Sequence, residues 1–142
     1  MVATKQVKAL TEDQIVKMPE SDYMNAAQLE FFRERLLGME RDIRSNADET
    51  TEHLRETVIV PDPADRATIE EEHALELRTR DRERKLLKKI KQSLERIDAG
   101  DYGFCEETGD PIGIPRLLAR PTATLSLEAQ QRRELRQKLY GD

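Results

Sequence analysis

Two prolines two positions apart, in Val58-Ile59-Val60-Pro61-Asp62-Pro63, interrupt a helical pattern that otherwise runs through most of the chain. Proline removes a backbone donor and pushes the residue before it out of the α region, so no helix continues through this stretch. On its N-terminal side apolar side chains recur at Leu29, Phe32, Leu36, Met39 and Ile43, and more weakly at Ala47, Leu54 and Val58. This 3-4 spacing places them on one stripe. On the C-terminal side the stripe comprises Ala67, Ala74, Leu77, Leu87, Ile90, Leu94 and Ile97, and ends near Gly100. Asp62 is an N-cap in front of a first-turn proline, so the second helix starts there. Two helices of about 35 residues, each on the order of 50 Å long, joined by so few residues, fold back on one another. The expectation is an antiparallel two-helix coiled-coil hairpin over residues 23–98, with its tip at 60–66.

Composition agrees with a narrow seam. Hydrophobic and charged residues each make up 37% of the 142, with three Tyr, three Phe and no Trp. Roughly 25% charged is usual, so this chain cannot fill one spherical core. The fold class expected is mainly α: the hairpin, a small globular base and a C-terminal helix. Residues 1–22 read as a loose N-terminal arm, either part of the base or flexible, in which Ile15-Val16-Lys17-Met18 is a short apolar run ended by Pro19. Thr11 and Gln14 are spaced to cap a helical turn there. Residues 99–125 are rich in turn formers, in Tyr102-Gly103-Phe104-Cys105 and Asp110-Pro111-Ile112-Gly113-Ile114-Pro115, and read as a small β-hairpin or irregular knot. Residues 126–142 form the last helix, with Leu135 and Leu139 on one side.

Several function classes drop out. One cysteine, Cys105, cannot form an internal disulfide, and the N-terminus lacks the apolar run of a signal peptide. No stretch approaches the roughly 20 apolar residues of a membrane span. A soluble, cytoplasmic, monomeric protein is expected. A net charge of −5 argues against direct DNA binding by the whole molecule. The average conceals a dipole, however: Glu40 to Glu72 holds 11 acidic and 4 basic residues, net −7, whereas Arg78 to Arg96 holds 9 basic and 3 acidic, net +6. An acidic tip on a basic shaft suits insertion of the tip toward a cationic cavity while the shaft lies on an acidic surface.

At the tip, Asp62 and Asp65 are three residues apart and face the same way, with Ala67 beside them. Spacing leaves two readings open. Asp62 caps the helix and Asp65 favours its positive end, or the two carboxylates share a hard cation such as Mg²⁺ with help from outside the chain. His53 and His73 read as solvated helix positions.

Laid out in this way, the chain resembles the DksA/TraR family of transcription regulators from Tyr23-Met24-Asn25 onward. The resemblance is strongest over Pro61-Asp62-Pro63-Ala64-Asp65-Arg66-Ala67, over Leu75 to Leu86, over Ile112-Gly113-Ile114 and over Ala119-Arg120-Pro121-Thr122-Ala123. It implies a coiled coil whose tip enters the secondary channel of RNA polymerase, with a zinc-binding module and a C-terminal helix at the base. The family's tip motif, Asp-x-x-Asp-x-Ala, falls on Asp62, Asp65 and Ala67, and would modulate promoter open complexes, inhibiting ribosomal RNA promoters and activating others in the stringent response. Arg82 matches a residue that contacts the polymerase rim. Leu86, Lys89, Arg120 and Gln130 match positions where guanosine tetraphosphate lies between factor and polymerase. Gln130 stands where the family has lysine.

The family's two Cys-x-x-Cys pairs fall on Cys105 with Thr108 and on Ser126 with Ala129. A structural zinc site needs four strong ligands, and one is kept, so no zinc is expected. The knot should instead be held by packing of Tyr102, Phe104, Ile112, Ile114, Leu117 and Leu118 against the base and the last helix. Cys105 then reads as a packing residue; any redox sensing would have to use sulfenic acid or a mixed disulfide. The resemblance implies a non-enzymatic regulator with no cofactor bound by the isolated chain, partnered by RNA polymerase and guanosine tetraphosphate. A Gre-like transcript-cleavage cofactor and a generic coiled-coil adaptor are the alternatives.

Overall fold

The computed structural model describes residues 10–56 and 62–141, the side chains of 49–56 excepted. Among the described residues five α-helices follow one another: α1 (Glu12–Lys17), α2 (Ala26–Glu56), α3 (Pro63–Ala99), α4 (Ile114–Ala119) and α5 (Leu127–Tyr140). A short 3-10 turn at Glu20–Asp22 links α1 to α2. The two long helices pack antiparallel. The chain divides into two compact units, one made of the residues through Leu36 and from Gln92 onward, the other of Leu37–Lys91.

In the first unit the segment read as a loose arm is helical from Glu12. Thr11 Oγ1 accepts the Gln14 N–H at 3.2 Å and Gln14 Oε1 accepts the Thr11 N–H at 3.0 Å, a complete capping box. Ile15 is fully buried, and α1 packs on α4. One inward isoleucine anchors so short a helix, because six residues have little helical stability of their own. A second reciprocal cap opens α2: Asn25 Oδ1 accepts the Gln28 N–H at 2.9 Å, and Gln28 Oε1 accepts the Met24 N–H at 2.8 Å. The core of the unit is Ile15, Phe32, Leu36, Ile97, Tyr102, Cys105, Ile112, Leu117, Ala123, Leu125 and Ala129.

Among the described residues the turn-rich segment contains no strand. Its hairpin is reduced to one isolated antiparallel bridge, Phe104 to Pro111. The last helix departs further from expectation. Ala129 is buried and Gln130 half-buried, but residues 131–140 are exposed throughout, with Leu135 and Leu139 at 56% and 65%. Packing of α5 on the knot is therefore confined to its first turn, supplemented by an ion pair from Arg133 to Glu107 at 2.9 Å.

In the second unit the α2 stripe lies as read, with Ile43 buried and Met39 and Ala47 half-buried. Leu54, Val58 and His53 lie outside the described side chains. The α3 stripe differs. Ala67, Ala74 and Leu77 are exposed, and the less exposed row is Ile69, His73, Glu76, Arg80, Glu83, Leu87 and Ile90. At 100° per residue, the ten positions from Leu77 to Leu87 leave Leu77 about 80° around the helix from the seam. Its middle is thus polar, and His73 belongs to it rather than to the solvated face. Glu83 Oε1 is buried there without a hydrogen-bond partner among the described residues.

Candidate functional site

Three groups of residues carry the candidate chemistry. The first opens α3. Asp62 Oδ1 accepts the Ala64 N–H at 3.0 Å and the Asp62 carbonyl accepts the Arg66 N–H at 2.9 Å, so this aspartate does cap the helix. One carboxylate oxygen answers the unpaired amides that any helix start presents. Asp65 lies one turn on, exposed and without a hydrogen-bond or ion-pair partner among the described residues, and Ala67 is exposed beside it. The cap and the free carboxylate are therefore different residues. The tip segment that precedes Asp62 lies outside the described residues.

The second group runs along α3. Arg82 and Lys89 are exposed and Leu86 is half-buried, spaced at i, i+7 and i+4 on one side of the helix. Neither cation has an ion-pair partner among the described residues. Arg120 and Gln130 belong to the other unit. Arg120 closes α4 through its N–H to the Arg116 carbonyl at 2.8 Å and leaves its side chain exposed. Gln130 spends its amide on Glu134 Oε2 at 2.9 Å.

The third group is the knot around Cys105. The thiol is buried, which pushes its pKa up. Hydrogen bonds from the Thr108 hydroxyl and from the backbone of Ser126, Thr108 and Glu107 outweigh burial and bring it down to about 6. Ser126 also caps α5, its Oγ accepting the Ala129 N–H at 3.2 Å. The four positions thus remain linked in space, but they offer one thiol, two hydroxyls and a methyl. That donor set does not fit a structural zinc, which takes four thiolate, imidazole or carboxylate ligands. Among the described residues, no three His, Cys, Asp or Glu side chains converge on a point that could hold a metal.

Hydrogen bonds tie the knot instead, and sequence reading missed them. The Tyr23 hydroxyl donates to the Gly103 carbonyl at 2.6 Å and accepts the Gly113 N–H at 2.9 Å, joining the two glycine turns to the start of α2. Burial raises its pKa, against the opposing hydrogen bonds from Gly113 and Ile112. Arg96 donates to the carbonyls of Asp101 and Phe104 at 2.9 and 2.7 Å. The Tyr102 hydroxyl reaches the Pro121 carbonyl at 2.7 Å, and Arg116 Nε the Leu125 carbonyl at 3.0 Å. Gly103 permits this closure: its φ is +89°, and a Cβ would lie 2.8 Å from the Met24 side chain. The glycines flanking Phe104 and Ile112 were the available signal, but only the fold shows which side chain they admit.

Residues 28–97 match the family described as DnaK suppressor protein DksA, N-terminal domain, and residues 100–135 the prokaryotic dksA/traR C4-type zinc finger. The RNA polymerase-binding transcription factor DksA of Caulobacter vibrioides is 54% identical over 121 residues, spanning 84% of this chain and 85% of that one. The chain belongs to the DksA family. The RNA polymerase-binding transcription factor DksA of Escherichia coli K12 is 48% identical over 84% of this chain and 80% of its own. The structure of transcription factor DksA2 from Pseudomonas aeruginosa superposes with a TM-score of 0.81 at 44% identity, covering 90% of this chain and 99% of that one. Membership includes the zinc-finger region as a fold, while the ligand set that names it is reduced here to Cys105. No described helix is long and apolar enough to cross a membrane.

Proposed function

We propose that this DksA-family chain is a non-enzymatic regulator of cytoplasmic RNA polymerase that presents the acidic start of α3 through the secondary channel and acts together with guanosine tetraphosphate. The observation that carries the reading is the division of labour at that start. Asp62 is engaged in capping, whereas Asp65 is exposed and unpartnered among the described residues. A carboxylate that makes no hydrogen bond or ion pair within its own helix is free to act on a neighbour, and one near a cation-rich active centre alters the charge balance that holds an open promoter complex. Zinc has no part in this scheme. The nucleotide's phosphates call for cations, which Lys89 and Arg120 supply; Leu86 offers apolar contact and Gln130 a neutral amide. Arg82 contributes a contact on the polymerase rim.

Transcription in vitro from a ribosomal RNA promoter tests the reading. Asp65→Asn should abolish inhibition, with and without guanosine tetraphosphate, while competition for polymerase stays near wild type. Retained inhibition would refute the tip mechanism. Release of short RNAs from backtracked complexes would identify a cleavage cofactor in its place.

A further inference from the structure

In the first unit, residues of α1, of the turn after it, of the first turn of α2 and of the start of α4 line a cavity of about 500 Å³. Three aliphatic side chains face it, Val16, Met18 and Ile114, together with three proline rings, Pro19, Pro111 and Pro115. Proline has no backbone N–H, so these walls are apolar and poor in donors. They are also stiff, because Pro19 separates α1 from the 3-10 turn and Pro115 stands in the first turn of α4.

Two polar groups are left for a ligand. Gln28 is the most buried of the lining residues, at 1% exposure; its Oε1 accepts the Met24 N–H, and its amide nitrogen donates to the Met18 sulfur at 3.5 Å. A thioether is a weak acceptor and the amide carries two N–H bonds, so this donor has capacity for an oxygen inside the cavity. The Tyr23 hydroxyl has none to spare, being committed to Gly103 and Gly113. At the rim, Glu20 is exposed and has no ion-pair partner among the described residues, and Asp22 follows in the same turn.

An apolar chamber with one inward donor and an acidic rim suits an apolar group that carries a carbonyl and is followed by a cation. An anionic ligand would meet Glu20 and Asp22 with like charge, and a plain hydrocarbon would leave Gln28 without an oxygen. We propose that this cavity binds a peptide segment in which an aliphatic residue precedes Lys or Arg. The aliphatic side chain lies among Val16, Met18 and Ile114, its backbone carbonyl accepts from Gln28 Nε2, and the cation sits beside Glu20. None of the tip, rim or nucleotide positions named above lines the cavity, so this proposal stands or falls apart from the polymerase reading.

NMR titration of the isotope-labelled full chain with three capped dipeptides, acetyl-Leu-Lys-amide, acetyl-Leu-Glu-amide and acetyl-Gly-Lys-amide, tests it. The leucine-lysine peptide should shift the Gln28 side-chain amide and the Gly113 amide saturably, with half-saturation on the order of 1 mM. The glutamate peptide should bind about fivefold more weakly and the glycine peptide roughly tenfold. Val16 and Glu20 are exposed, so Val16→Ser and Glu20→Gln should keep the Tm of wild type. Val16→Ser should weaken the leucine-lysine peptide about threefold, and Glu20→Gln should remove most of the preference for lysine over glutamate. A wild-type chain without saturable shifts, or with equal affinity for the leucine and glycine peptides, overturns the proposal. An undiminished lysine preference in Glu20→Gln also overturns it.

Discussion

Cys105 keeps one thiol at a position of the zinc-finger family, where Thr108, Ser126 and Ala129 supply no further thiolate. Its thiol lies among backbone and hydroxyl donors, an arrangement that stabilises negative charge whether or not a cation is present. The folded pKa of about 6 lies below the ordinary thiol value, so between pH 6 and pH 9 the unfolded chain binds the proton and the folded chain does not. Stability from this residue therefore rises across that window, by up to about 1.4 kcal/mol per pH unit, and is lost as pH falls through 6. Urea unfolding at three pH values should show wild type gaining on Cys105→Ser from pH 6 to pH 9; parallel curves would mean that the thiol does not ionise in place. Gln130 makes the converse point, since its amide occupies a position where the resemblance implies a lysine. Gln130→Lys should lower the guanosine tetraphosphate concentration for half-maximal inhibition about threefold, the effect of one exposed charge on a phosphate, as read in the same promoter assay.

At the scale of elements, the proline break and the 3-4 spacing were enough to anticipate α2, α3 and the fold-back between them. They were not enough to place the α3 seam. Apolar residues are ordinarily the best indicator of the inward face, but here Leu77 faces out while Glu76, Arg80 and Glu83 lie along the seam. Polar residues at such positions fix register at a cost in stability. Glu83 makes that cost measurable, because Oε1 is buried without a hydrogen bond among the described residues. Glu83→Leu should raise unfolding free energy by about 1 kcal/mol or more in urea titrations. The short elements were legible only in part. The Thr11 and Gln14 cap could be read from spacing, yet burial of Ile15 depends on α4, nearly a hundred residues further along the chain.

For the whole molecule, the question is what fastens a small module whose four family ligand positions offer one thiol. Structural zinc in small domains contributes on the order of 10 kcal/mol to folding, more than any single hydrogen bond supplies. Here the load is spread over Tyr23, Arg96, Tyr102 and Arg116, each of which reaches backbone carbonyls in or beside the knot. Thermal unfolding should accordingly be the same with and without a strong chelator, and metal analysis of the purified chain should find no bound zinc. A chelator-dependent drop in Tm would show a ligand set beyond Cys105. Charge is likewise distributed at this scale: the net −5 is what remains after an acidic stretch of −7 and a basic stretch of +6 are set among the rest.

The sequence by itself determined the helical class, the antiparallel pairing of two long helices, the segregation of charge and the family, because these depend on local spacing and on runs of residues in order. Tertiary structure decided which faces of the helices are used. Whether Leu77 is buried, whether Tyr23 closes the knot and whether α5 packs beyond its first turn depend on contacts between residues far apart in the chain. Periodicity fixes an angle around one helix axis, but not the direction from which a partner approaches it.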